Sequence, residues 1–244
     1  MRLTFSFRRI LVHRPQYGLS IVELLVGITI GLFVLAGATA LVSGQLSDNR
    51  RLLLETQINQ DLRAAADIIS RDLRRAGYYY TAANSVWPKS VAFGGTAVEN
   101  AYQIVSITAG AGGRPELNYA ISSAKTDAAE NNIVDSDEQF GFAWDSAAGT
   151  IVMKIGNSGW QALTDSNVVN ITNVSLTPTE HLILVPCVRP CPGGPSDTTC
   201  WPRQKVRHIA VLVTGRAVHD ASVVRSVKTG VRVRNDSLTG ACPV

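Results

Sequence analysis

The residues best placed for chemistry are one carboxylate and four thiols. Glu23 stands near the start of an otherwise apolar run, Tyr17 to Gly37, which reads YGLSIVELLVGITIGLFVLAG. From Leu24 to Ser47 no residue is charged over 24 positions, and about 20 in a helix cross the hydrocarbon core of a bilayer. An uncompensated carboxylate at the bilayer centre costs roughly 2.5–3.5 kcal/mol on insertion scales, and such residues mark function. Near a helix end the cost falls, because the side chain reaches the interface. A cationic partner changes the balance further. If the chain is cut between Gly18 and Leu19, a new α-amino group arises four residues before Glu23. In a helical array of subunits that amine can meet a neighbour's Glu23. Low dielectric strengthens such a pair, and desolvation offsets much of the gain.

The thiols are Cys187, Cys191, Cys200 and Cys242, all in the last quarter of the chain. An even count in a Pro- and Gly-rich region fits disulfides in an oxidising compartment. Structural zinc needs tight paired spacings, which Cys187-x3-Cys191 and Cys191-x8-Cys200 do not supply. The pairing stays open at this stage, since four Cys allow three connectivities. Other chemistry finds no support. His13, His181, His208 and His219 form no pair at metal-ligand spacing, and neither a G-x-S-x-G turn nor a P-loop occurs. The acidic cluster Asp135 to Glu138 lacks the calcium-loop pattern and reads as a solvated loop. The expectation is therefore a protein that is not an enzyme, with no metal and no cofactor.

Charge placement orients the apolar run. Arg2, Arg8, Arg9 and Arg14 precede it with no Asp or Glu among them. Residues after 18 carry equal numbers of basic and acidic side chains, 19 each, so the formal charge of +4 belongs to the first eighteen. No basic patch with interleaved aromatics points to nucleic acid. The asymmetry predicts an N-terminus in the cytoplasm and the bulk of the chain outside. A secretory signal has an apolar core of only 7–15 residues, and helical character here continues well past that length. No Pro occurs between Gly18 and Trp87. After Ser47 the pattern becomes amphipathic: Ile58, Leu62, Ala65, Ile69, Leu73 and Ala76 recur at steps of four and three, one stripe of a helix. Asp67 and Arg71 stand on another face at the acid-first i,i+4 spacing. Gly77 is the expected stop. A continuous helix from Leu19 to Ala76 would reach roughly 87 Å. Gly27-x3-Gly31 has the small-x3-small spacing that permits close helix approach.

The stretch Gly18 to Glu23 (GLSIVE), with a basic leader before it and an apolar run after it, resembles the N-terminal signal of type IV pilins. That resemblance implies cleavage after Gly18 by prepilin peptidase, N-methylation of Leu19 and an assembly role for Glu23. The family most often has Phe where this chain has Leu19. Many major pilins also carry a Pro in the apolar half, and this chain has none. "SRDLRRAGYYY", Ser70 to Tyr80, is similar to the junction in PilW-type minor pilins, as is the closing "VRVRN", Val231 to Asn235. The resemblance implies an α+β pilin-like fold: a leader over 1–18, a transmembrane and assembly half-helix over 19–47, an amphipathic half-helix over 48–77, and a periplasmic β-rich domain over 78–244. It implies a single-pass inner-membrane precursor that moves to the pilus. Its partners would be prepilin peptidase, other minor and major pilins, and the inner-membrane assembly machinery, with a part in priming assembly at or near the tip. Two alternatives are a type II secretion pseudopilin and, from another class, a signal-anchored periplasmic binding protein or enzyme.

Within the β-rich part, strands are expected near Ala101–Thr108, Ile151–Ile155, Val168–Leu176 and His181–Val185, and over Val206–Thr214 and Val223–Arg234. Val223, Val227, Val231 and Val233 share one face of the last, with Lys228, Arg232 and Arg234 on the other. Arg207 to Val213 reads as a more central strand. Thr81–Asn100 and Thr126–Gly149 read as surface loops. The loop 186–202, with five Pro and three Cys, cannot be regular structure and is the expected disulfide-bearing element.

Overall fold

The structure is a computed structural model and describes residues 18, 20–82, 100–110, 115–126, 129–240 and 242. The chain divides into two compact units, Met1–Arg50 and Arg51–Val244. Helix α1 spans Ile21–Arg75. In the first unit it is exposed on all sides. In the second unit its amphipathic stripe is buried: Ile58, Leu62, Ala65, Ile69, Leu73 and Ala76 are all at most 2% exposed. The helix stops where expected. Gly77 adopts φ +76°, a left-handed conformation that favours Gly, and its N–H donates to the Ala120 carbonyl at 2.9 Å.

Nine strands follow among the described residues. β1 (Val105–Ala109), β2 (Pro115–Ala120), β3 (Gln139–Asp145), β4 (Thr150–Ile155) and β5 (Trp160–Ala162) form an antiparallel meander in sequence order. β6 (Val169–Leu184), β7 (Arg203–Ala217) and β8 (Val224–Arg232) form a second antiparallel sheet, and β9 (Ser237–Thr239) pairs with β7. Residues of both sheets join the helix stripe in one core. In the meander the inward residues are in register: Leu117 faces Phe142, Tyr119 faces Phe140, and Trp144 faces Ile151. The Trp144 indole donates to the Ile171 carbonyl at 3.2 Å, tying β3 to β6.

β7 is central, as expected, with β6 and β8 on either side. Its inward residues Ile209, Val211 and Val213 are buried. Gly215 continues that face. A Cβ there would lie 2.6 Å from a Val169 methyl and 3.3 Å from a Leu62 methyl. The β8 expectation also holds, with Val223, Val231 and Val233 buried.

Several expectations need correction. The region Thr126–Gly149 is not one loop, since it contains β3. Phe140, Phe142 and Trp144 alternate with small or polar residues there, the period of a half-buried strand. β2, with Leu117 and Tyr119 at the same period, lies in a stretch for which no strand was expected, and so does β5. The two strands expected over Val168–Leu176 and His181–Val185 are one strand, β6. Pro178 lies between them and separates the two runs, but β6 is a sheet edge, where Pro removes no ladder hydrogen bond. The segment from Ala101 begins with a 3-10 turn, Ala101–Gln103, before β1. Asp67 and Arg71 form no ion pair among the described residues. The pairs along this helix are Arg51–Glu55 at 3.2 Å and Arg75–Asp72 at 2.6 Å. Most of the expected loop Thr81–Asn100 lies outside the described residues.

Candidate functional site

The site begins at the first turn of α1. Gly18 is exposed and Ser20 is the residue before the helix. The Val22 N–H reaches the Ser20 hydroxyl oxygen at 3.4 Å, and the Leu24 N–H donates to the Ser20 carbonyl at 3.0 Å. Glu23 lies in the first turn, where the helix dipole favours a negative charge. Ser20-x-x-Glu23 has the spacing of a capping box, a signal legible in the sequence that the reading above passes over. Glu23 is exposed and makes no ion pair among the described residues. Leu19 and residues 1–17 lie outside the described residues. So the carboxylate is placed, and the amine it would meet is not.

The run after Glu23 has no partner among the described residues. Its most apolar 18-residue window is 0% buried, and the helix is long and apolar enough to cross a membrane. Phe33 is 85% exposed. A Cβ added at Gly27, Gly31, Gly37 or Gly44 would meet nothing within 4 Å. The two hydroxyls between Leu24 and Val42 donate within their own helix. Thr29 donates to the carbonyls of Leu25 and Val26 at 3.0 and 2.9 Å, and Thr39 to Ala36 at 3.0 Å.

In the second unit the helix is fastened by polar contacts as well as by its stripe. Asp72, buried, accepts from Arg75 at 2.6 Å and from the Tyr119 hydroxyl at 3.1 Å. Burial, then the Asp72 charge, pushes the Tyr119 hydroxyl's pKa well up. Past Gly77, Asn100 donates to the Gly77 carbonyl at 3.0 Å, and the Tyr102 hydroxyl donates to Glu130 at 3.1 Å. Glu55 pairs with both Arg51 and Arg225, joining the helix to β8. Arg207 is buried and donates to two main-chain carbonyls, Gln103 and, at 2.8 Å, Asn235. Burial pulls its pKa below the ordinary value.

The acidic cluster Asp135–Glu138 is not simply a solvated loop. Asp135 and Asp137 are exposed, but Glu138 is buried. It accepts from the Ser123 N–H at 2.6 Å and the Asp135 N–H at 3.1 Å. Burial works to raise its pKa, and these hydrogen bonds outweigh it and hold the carboxyl below its usual range. His181 and His208, far apart in sequence, are neighbours across the β6–β7 ladder with ring centroids 6.1 Å apart. Only the strand pairing brings them together. Among the described residues no group of three or more metal-ligating side chains occurs.

The four thiols form two bridges, Cys191–Cys200 within the loop and Cys187–Cys242 from the loop to the chain's end. On chain-entropy grounds the first contributes about 2.5 kcal/mol and the second about 4 kcal/mol. Asp197 organises the turn inside the smaller ring. It accepts from the Thr199 hydroxyl and N–H and from the Gly193 N–H, and these bonds, Thr199's first, hold its carboxyl below the usual range.

An exposed apolar N-terminal helix, followed by an amphipathic stretch packed on antiparallel sheets, defines a pilin-like α+β protein. Residues 51–233 match the family of prepilin peptidase-dependent protein B. That span is most of the chain, so the chain belongs to this family. The match begins after Gly18 to Glu23 and takes no account of that motif. No curated protein and no solved structure matches the chain.

Proposed function

We propose that the protein is a minor pilin of the PilW type. Prepilin peptidase cuts after Gly18, Leu19 becomes the methylated first residue, and the apolar run stays on the mature subunit. The precursor is a single-pass inner-membrane protein with its β-rich domain in the periplasm, later carried into the pilus. There it joins other minor and major pilins, with the inner-membrane assembly machinery, in priming growth at or near the tip. Glu23 takes the α-amino group of a neighbouring subunit and so fixes how far the apolar helices advance along each other.

One observation carries this reading. The apolar half of α1 is uncovered on every side and has a single carboxylate at its start, within a family described as dependent on prepilin peptidase. A helix that only anchors a domain gains nothing from a carboxylate. A helix that assembles gains a fixed position from one. Chain-end mass spectrometry on protein from the native envelope tests it. The expected species begins at Leu19 with one added methyl group. A chain that retains residues 1–18, or loses more of its N-terminus, would point instead to a signal-anchored periplasmic protein. A type II secretion pseudopilin would share the processed N-terminus. Deletion separates the two, with loss of surface pili expected here and loss of secreted proteins for the pseudopilin.

A further inference from the structure

Arg74, Arg232 and Arg234 line a cleft of about 450 Å³. A second cleft of about 430 Å³ shares Arg74 and Arg234 and has Tyr78 and Ile121 in its wall. The two clefts therefore meet along one guanidinium pair, with a third cation on one side and an apolar wall on the other. Their frame is fixed. The Arg234 N–H donates to the Arg74 carbonyl at 3.3 Å, and the Asn235 amide donates to the carbonyls of Arg75 and Ala76 at 3.2 and 3.0 Å. The last helical turn and the segment after β8 are thus held together by one main-chain bond and the Asn235 side chain, and Arg74 and Arg234 line both clefts.

The charges are unbalanced. Arg75 is occupied by Asp72 and Arg232 by Asp236. Arg74 and Arg234 are exposed and have no carboxylate partner among the described residues. Two cations without a carboxylate partner leave positive charge on the wall that both clefts share. Guanidinium is also the group suited to taking a carboxylate through two parallel hydrogen bonds. A free inorganic anion would leave the apolar wall unused. Nucleic acid is tracked by an extended basic groove with stacking aromatics, whereas here the cations are confined to one cleft.

We propose that this double cleft binds an acidic segment of a partner protein subunit. Carboxylates would sit on Arg74 and Arg234, and an adjoining apolar side chain would lie against Tyr78 and Ile121. The proposal rests on the clefts alone and does not require the filament reading.

The test uses the full-length protein in detergent and a fluorescein-labelled peptide of sequence DEFDE, blocked at both ends, followed by anisotropy. Its amide analogue, NQFNQ, and a short single-stranded DNA serve as the other probes. We expect saturable binding of DEFDE that weakens with salt and no binding of NQFNQ. The double variant Arg74→Gln/Arg234→Gln should bind at least about tenfold more weakly, as for loss of charge-assisted hydrogen bonds. Tyr78→Ala should weaken binding less, and Lys228→Gln, elsewhere on β8, should leave it unchanged. Thermal unfolding of each variant, expected to match the parent, shows that the fold is intact. Equal binding of NQFNQ, undiminished binding by a folded double variant, or tighter binding of the DNA through the same two arginines would overturn the proposal.

Discussion

Two stretches of α1 can be set side by side. Between Leu24 and Val42 every residue is exposed, including the large apolar side chains. Between Ile58 and Ala76 the apolar residues that recur at helical spacing are buried. Both stretches are helical and both carry apolar side chains. They differ in where the covering surface comes from. The second stretch segregates its apolar residues onto one stripe because its partner, the two sheets, belongs to the same chain. The first is apolar all round and no described residue covers it, the pattern of a helix whose cover would be lipid or other helices. Apolar pattern thus reports how much of a helix is covered, and the amphipathic angle reports how much of that cover the chain supplies itself.

Substitution at matched positions should break this comparison if it is wrong. Leu62→Ala empties a position in the core and should cost the β-rich unit about 2–5 kcal/mol in denaturant unfolding. Leu32→Ala should leave that unfolding curve in place. The glycines give the next contrast. Gly215→Ala forces a methyl group against Val169 and Leu62 and should cost about 1–3 kcal/mol by overpacking. Gly31→Ala meets open space; it should not destabilise the β-rich unit and should raise local helicity by about 1 kcal/mol.

Acid sharpens the contrast. The folded pKa of Glu138 is depressed, so its contribution is present above the ordinary carboxylate pKa and is lost as pH falls through the folded value. Thermal unfolding of the β-rich unit from pH 6 to pH 3 should therefore decline less steeply in Glu138→Gln than in the parent. Glu23→Gln should leave the acid profile of that unit unchanged. The smallest effect belongs to Ser20→Ala. It should fray the first turn by about 0.5–1 kcal/mol, seen as faster amide exchange near Val22, with no change in the β-rich unit's melting.

What the sequence revealed and what it concealed follow one rule. The stripe from Ile58 to Ala76, the Gly77 stop and the central strand at Arg207–Val213 were legible, because their signals are local and periodic. β2 and β3 were missed because Gly, Asn and acidic residues around them outweighed the inward Leu117 and Tyr119 of the one and the three inward aromatics of the other. β6 was split because Pro178 ends a strand in any position except an edge, and edge status is a property of the whole sheet. The same holds for the site. Gly18, Leu19 and Glu23 stand out by spacing, whereas the guanidinium pair of Arg74 and Arg234 is set by the pairing of residues far apart in the chain. Disulfide partners are hidden for the same reason. The pairing of β9 with β7 brings the segment of Cys242 back beside that of Cys187.

The internal hydrogen bonds of Thr29 and Thr39 have one more consequence. Between Leu24 and Val42 these are the only side chains that can donate or accept, and the donors of both are already spent on their own helix. Two such rods laid together would find no free hydroxyl donor in this stretch to fix their offset. Under the assembly proposed above, Glu23 is the one charged mark from which such rods could take their offset.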